Sequence, residues 1–118
     1  MKIPEWLDPG EQVARLGRNK WKVPKLLELS RKLPVMRVPL DHLNVYSTYE
    51  KLSLREMVMH MRAVQAADLR YPILLDEDGD LLDGRHRIMR ALLDGKKTIL
   101  ARRFDENPTP DEHDEGAA

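Results

Sequence analysis

The residues best suited to chemistry in this 118-residue chain stand together at Asp83-Gly84-Arg85-His86-Arg87. They follow a short apolar run, Leu81-Leu82. They open a segment, Arg85 to Leu93, whose apolar residues Ile88, Met89, Ala91, Leu92 and Leu93 have helical spacing. A strand, a glycine turn and a helix in immediate succession bring several backbone N–H groups to the helix N-terminus. Those donors and the helix dipole favour an anion. Gly84 has no Cβ and lets the backbone approach a ligand closely. Arg85 and Arg87 supply planar, permanently charged forks for phosphate oxygens, and His86 can donate to a phosphate or exchange a proton near neutral pH. Asp83 can cap the helix, orient an arginine, or hold a divalent metal beside the phosphates. An Asp cap followed by solvated basic residues on a surface helix has the same local pattern, so the motif alone leaves both readings open.

Several elements must position this turn. Tyr71-Pro72 starts a strand, Ile73-Leu74-Leu75, and Asp78-Gly79 within the acidic stretch 76–80 predicts a tight hairpin returning through Leu81-Leu82. Asp76, Asp78 and Asp80 resemble the opening of a calcium loop, but no Glu stands at the twelfth position and the hairpin accounts for them. Gly95 sits where a helix C-cap glycine belongs, and Thr98 to Ala101 reads as a final strand. Upstream, residues 35–40 alternate like a strand, with Pro39 marking an end or an edge. Ser53 and Glu56 form a capping box for a helix from Leu54 to about Ala66. Leu54, Met57, Val58, Met61, Val64 and Gln65 share one face of it, with the methionines expected as core filler. His60 lies at the margin of that face and reads as a half-buried structural histidine, with a site-facing role as the alternative.

The first 34 residues are expected to form a helical arm. Asp8-Pro9-Gly10-Glu11 reads as the start of a short helix ending near Gly17, and Val23-Pro24 starts a second, with Pro34 forbidding its continuation. The arm packs either on the domain or on a second subunit of a homodimer, with Trp6 and Trp21 as anchors. Residues 105–118 carry six acids and no Lys or Arg, so the rest of this formally neutral chain holds 20 basic against 14 acidic groups. The acidic end is expected to be disordered. The excess of cations lies around the motif, as an anionic ligand requires. No apolar run suggests a membrane helix, and the first residues lack the apolar core of a secretory signal. The absence of cysteine excludes disulfides and thiolate chemistry, and fits a cytoplasmic protein.

Pro72-Ile73-Leu74-Leu75, the Asp78-Gly79 turn, and Leu82-Asp83-Gly84-Arg85-His86-Arg87 followed by Ala91, Gly95 and a strand resemble the ParB/sulfiredoxin-like superfamily. The resemblance covers residues 35–104. It implies an α+β domain with a small mixed four-stranded sheet, and a Gly84-to-Arg87 turn that contacts nucleotide phosphates. The closest local form is the Asp-Gly-His-His-Arg turn of ParB-like free-serine kinases. Arg85 occupies the place of the sulfiredoxin cysteine, which removes that chemistry. The downstream Glu-Asn-x-x-Arg element of ParB proteins is broken after Glu106-Asn107. By the same resemblance Glu50 is a candidate general base and Arg70 a secondary phosphate contact.

The expected function is a nucleotide-binding domain performing NTP hydrolysis, phosphoryl transfer or phosphodiester cleavage. Gly84, Arg85, His86, Arg87 and Arg70 would hold phosphates, Glu50, His86 and Asp83 would serve catalysis, and Asp83 would hold a metal. ATP or CTP with Mg2+ is the expected cofactor set. The alternative is a non-catalytic accessory module that binds nucleic acid or a nucleotide through phosphate contacts.

Overall fold

The computed structural model describes residues 13–45 and 51–113. Its described residues form seven strands and three α-helices: β1 (Val13–Leu16), β2 (Asn19–Lys22), α1 (Val23–Ser30), β3 (Met36–Pro39), α2 (Leu54–Ala66), β4 (Ile73–Leu75), β5 (Leu81–Asp83), α3 (Arg85–Leu93), β6 (Thr98–Arg103) and β7 (Glu112–His113). One turn of 3-10 helix, Leu40–His42, follows β3. The result is an α+β domain with two sheets. The mixed four-stranded sheet has the order β3-β6-β4-β5, in which β4 and β6 are parallel and the outer pairs antiparallel. Pro39 lies on the edge strand β3, where its missing N–H breaks no internal ladder.

All three residues of β4 are buried because this sheet is covered on both faces. Alternation sends Ile73 and Leu75 to one side, where they meet Ile88 and Ala91 of α3, Ile99 and Ala101 of β6, and Leu40 and Leu43. Leu74 points the other way and packs with Leu82, Phe104, Ala14, Trp21, Val23 and Leu26. The turn between β4 and β5 is held by the buried Asp76 carboxylate, whose Oδ1 accepts from the amides of Asp78 and Asp80 at 2.9 and 2.7 Å.

The second layer departs from the expected helical arm. Residues 13–16, expected as the end of the first helix, are strand: β1 and β2 pair antiparallel with Leu16 opposite Asn19. Two residues, Gly17-Arg18, make the turn, and only Gly17 has positive φ, 60°. That is what a two-residue hairpin with glycine at its first central position needs. Burial alternates through Ala14 and Trp21, so the local pattern is that of a half-buried ribbon. Only α1 survives from the expected arm, ending at Ser30, short of Pro34. The second subunit is not needed to cover Trp21, which is 1% exposed against this chain's own Leu74 side of the sheet. The expected helix start at 8–11 and Trp6 lie outside the described residues.

The acidic end is also more ordered than its composition suggests, as far as residue 113. Asn107 exchanges hydrogen bonds with Glu77, the Trp21 indole donates to the Pro108 carbonyl at 2.9 Å, and β7 pairs with β2. Asp111 accepts from the Lys22 amide (2.8 Å) and from Lys25 Nζ (3.0 Å), which hold its carboxyl below the usual range. Of the carboxylates that argued for disorder, Asp111 is thus held by specific donors of β2 and α1, and Glu112 lies 3.9 Å from Lys20 Nζ. No helix among the described residues is long and apolar enough to cross a membrane.

Candidate functional site

Leu81 to Leu93 fold as expected locally: β5 ends at Asp83, Gly84 turns the chain, and α3 begins at Arg85. Gly84 is the N-cap, with φ 116° and ψ 23°, and brings no side-chain acceptor to the amides of the first turn. Its missing Cβ has a different reason from the expected one. A Cβ built there would lie 2.5 Å from Ile73 Cγ2, 2.9 Å from Ile73 Cβ and 3.2 Å from Ile73 Cα. Glycine is therefore required so that the turn can close onto β4, whatever approaches from solvent. The residue is nonetheless partly exposed and lines a cleft of about 1160 Å³.

Arg85, His86 and Arg87 line this cleft together, but they differ in what they touch. Arg87 is a clamp. Its guanidinium donates to the carbonyls of Tyr71 (3.2 Å) and Pro72 (2.7 Å), and to Asp83 Oδ2 at 2.8 Å. Both charged groups of that pair are more than four-fifths shielded from water. Of the roles open to Asp83 in the sequence, the structure shows the one of orienting an arginine, and the pair ties the loop before β4 to the first turn of α3. Among the described residues, the three-carboxylate group able to hold a cation is Asp76, Asp78 and Asp80, and Asp83 is not in it. Arg85 stands exposed at the cleft wall.

His86 meets a partner that sequence spacing does not indicate. Its Nε2 lies 2.8 Å from His60 Nδ1 on α2, and the ring centroids are 5.1 Å apart. One proton serves that contact, so one ring donates and the other accepts. Burial, then His60, then the Arg85 charge push the His86 pKa down to about 4. Burial and Arg85 also lower His60, against the opposing pull of Glu56. Both rings are therefore neutral at pH 7. His60 is half-buried as expected, and the structure brings it into the cleft, the alternative its sequence position left open. Its 26-residue separation from His86 carries no local signal, since the pairing depends on how α2 packs on α3.

The cleft also draws on the N-terminal layer. Arg15 of β1 and Arg31 after α1 line it, as does Arg102 of β6, whose guanidinium donates to the Ser30 carbonyl at 2.9 Å. Arg15 and Arg31 were missed because residues 1–33 showed no motif. Their only signal was the general excess of cations. Arg70 does not line the cleft: its exposed guanidinium forks onto Asp68, Nη2 to Oδ2 at 2.7 Å, and holds the Asp68 pKa down to about 2. Asp68 and Glu56 are the cleft's other acids beside Asp83. Glu50, the expected general base, lies outside the described residues.

No protein-family model matches this chain, and no curated protein is significantly similar to it. The functional reading rests on the geometry and on the residues that carry it.

Proposed function

We propose that the cleft at the start of α3 binds a phosphate-bearing ligand, a nucleotide or a nucleic-acid strand, and that phosphoryl or phosphodiester chemistry takes place there. The observation that carries this reading is the convergence at one opening of the uncapped first turn of α3, the exposed Arg85 and the neutral His60–His86 pair. The resemblance of residues 35–104 to ParB-like domains points the same way. Arg15 and Arg31 extend the positive wall beyond one phosphate, which suits a di- or triphosphate or successive phosphates of a strand.

In this reading the residues divide their work. Arg87 and Asp83 hold the turn in shape, and Arg85 and the amides of α3 meet the phosphate. With both rings neutral, one of the two nitrogens outside the mutual contact carries a proton and the other a lone pair, so the pair as a unit can donate to a ligand oxygen or pass a proton. A bound anion favours the imidazolium form, so binding raises the His86 pKa and takes up protons below pH 7. Mg2+, if it enters, comes with the phosphates and needs only one or two carboxylates from the protein. Glu56 and Asp68 are the cleft acids not committed to Arg87.

A non-catalytic binding module is the second reading, favoured by one specific observation: a histidine with a pKa of about 4 is a weak base at neutral pH. Calorimetric titration with ATP, CTP and a single-stranded oligonucleotide, with and without Mg2+, tests the binding step. Arg85→Ala should weaken binding about tenfold, the worth of one charge-assisted contact. Binding should also tighten between pH 7 and 5. If none of these ligands binds, or if Arg85→Ala leaves affinity untouched, the cleft is not a phosphate site. Product formation from the same ligands, lost in His86→Ala, separates enzyme from module.

A further inference from the structure

A second surface adjoins the cleft and shares His60 with it. The stripe Leu54, Met57, Val58 and Met61 of α2, spaced i, i+3, i+4, i+7 and expected in the core, points to solvent: Leu54 is 83% exposed and Met61 56%. Val64 is the only buried residue of this 13-residue helix. Leu92 and Leu93 at the end of α3 continue the apolar surface, and Leu93 is 68% exposed. Met57, Met61, Met89, Leu92 and Leu93 line one groove with no charged side chain in it. With these six side chains 47–83% exposed, the face presents roughly 600 Å² of mostly carbon surface, the upper end of the largest patch on a typical monomer and of the kind that often marks an interaction site.

We propose that this α2–α3 face is the interface of a homodimer. Its area per copy is somewhat below the roughly 800 Å² that each partner contributes to a standard interface, and its apolar centre is that of an interface core. A twofold axis through the face buries the same stripe on both copies, and the stripe's spacing is the one with which α-helices interdigitate. His60 lines both this groove and the cleft, so a second copy would close the water-facing side of the histidine pair.

Sedimentation over about 1–100 µM protein tests the proposal, because mass action makes a dimer of this size concentration-dependent. The wild type should shift to twice the monomer mass. Met57→Glu and Met61→Glu should each remain monomeric throughout, with far-ultraviolet circular dichroism showing that β-sheet and α3 stay folded. The chain has no cysteine, so Met61→Cys adds a single thiol. Mild oxidation should link it to its symmetry mate, while Lys32→Cys, exposed on the far layer, should stay unlinked. A wild type that is monomeric at every concentration overturns the proposal. So does a dimer that survives both glutamate substitutions, since its contact then lies elsewhere.

Discussion

α2 and α3 look alike as strings of residues and fare differently in the fold. Each is amphipathic, each follows a recognisable start, and they touch along one side. α3 buries Ile88 and Ala91 against the central sheet, and its first turn is tied to β4 by Gly84 and Arg87. α2 has a more explicit cap, with the Glu56 amide donating to Ser53 Oγ at 3.1 Å and the hydroxyl donating back to the carboxylate. It nevertheless leaves most of its apolar stripe in water. An apolar stripe thus records that a helix needs a partner, and says nothing about whether the partner is in the same chain.

Substitutions can break this contrast in graded steps. The largest effect should come at the root of α3. Gly84→Ala forces a side chain into left-handed backbone and into Ile73, and should lower unfolding free energy by about 4 kcal/mol or more, measured by urea titration. A loss below about 1 kcal/mol would show that the turn does not need its close approach to β4. Arg87→Ala should follow at about 2–3 kcal/mol, since it strands the shielded Asp83 carboxylate and removes the donor from two loop carbonyls.

The contact between the helices should appear as a pH effect of smaller size. The folded His86 pKa lies below the unfolded value, so the unfolded chain binds the extra proton between about pH 6.5 and 4. Its contribution to stability is complete above pH 6.5 and is lost as pH falls toward 4. After allowance for partial solvation it amounts to about 1–2 kcal/mol. His86→Gln should flatten the melting temperature across this window. An unchanged slope would mean the pair is not formed in solution.

The smallest effect should be on the outer face of α2. At protein concentrations that keep the chain monomeric, Met57→Ala should change stability by less than about 0.5 kcal/mol, because the side chain has little packing to lose. Hydrogen exchange gives the same contrast by residue: amides of α3 should exchange near the global limit, and those in the first half of α2 by local opening. Raising the concentration should protect α2 selectively if the copies pair across it.

Much of the central layer was legible because its signals are local. Ile73 to Leu75 is a short apolar run, Ser53 and Glu56 mark a helix start, and Gly84 interrupts two patterns of different period; β4, α2 and α3 occupy the expected residues. The N-terminal layer was read wrongly for a local reason too. Asp8-Pro9 and Glu11 suggested a helix, while the alternation of Val13 to Leu16 and the turn at Gly17 made a ribbon whose partner strand β7 lies some 90 residues away. Composition likewise marked residues 105–113 as loose, and donors on β2 and α1 hold them in place.

Sequence by itself determined the elements of the central layer and the turn that presents Arg85 and His86, since strand run, glycine and helical period are properties of neighbouring residues. Only the tertiary structure decided that His60 meets His86, that Arg87 serves the loop before β4, and that Gly84 is small for the sake of Ile73. Each of those facts depends on the order of strands in the sheet and the face on which a helix lands, which are set by the joint packing of distant segments.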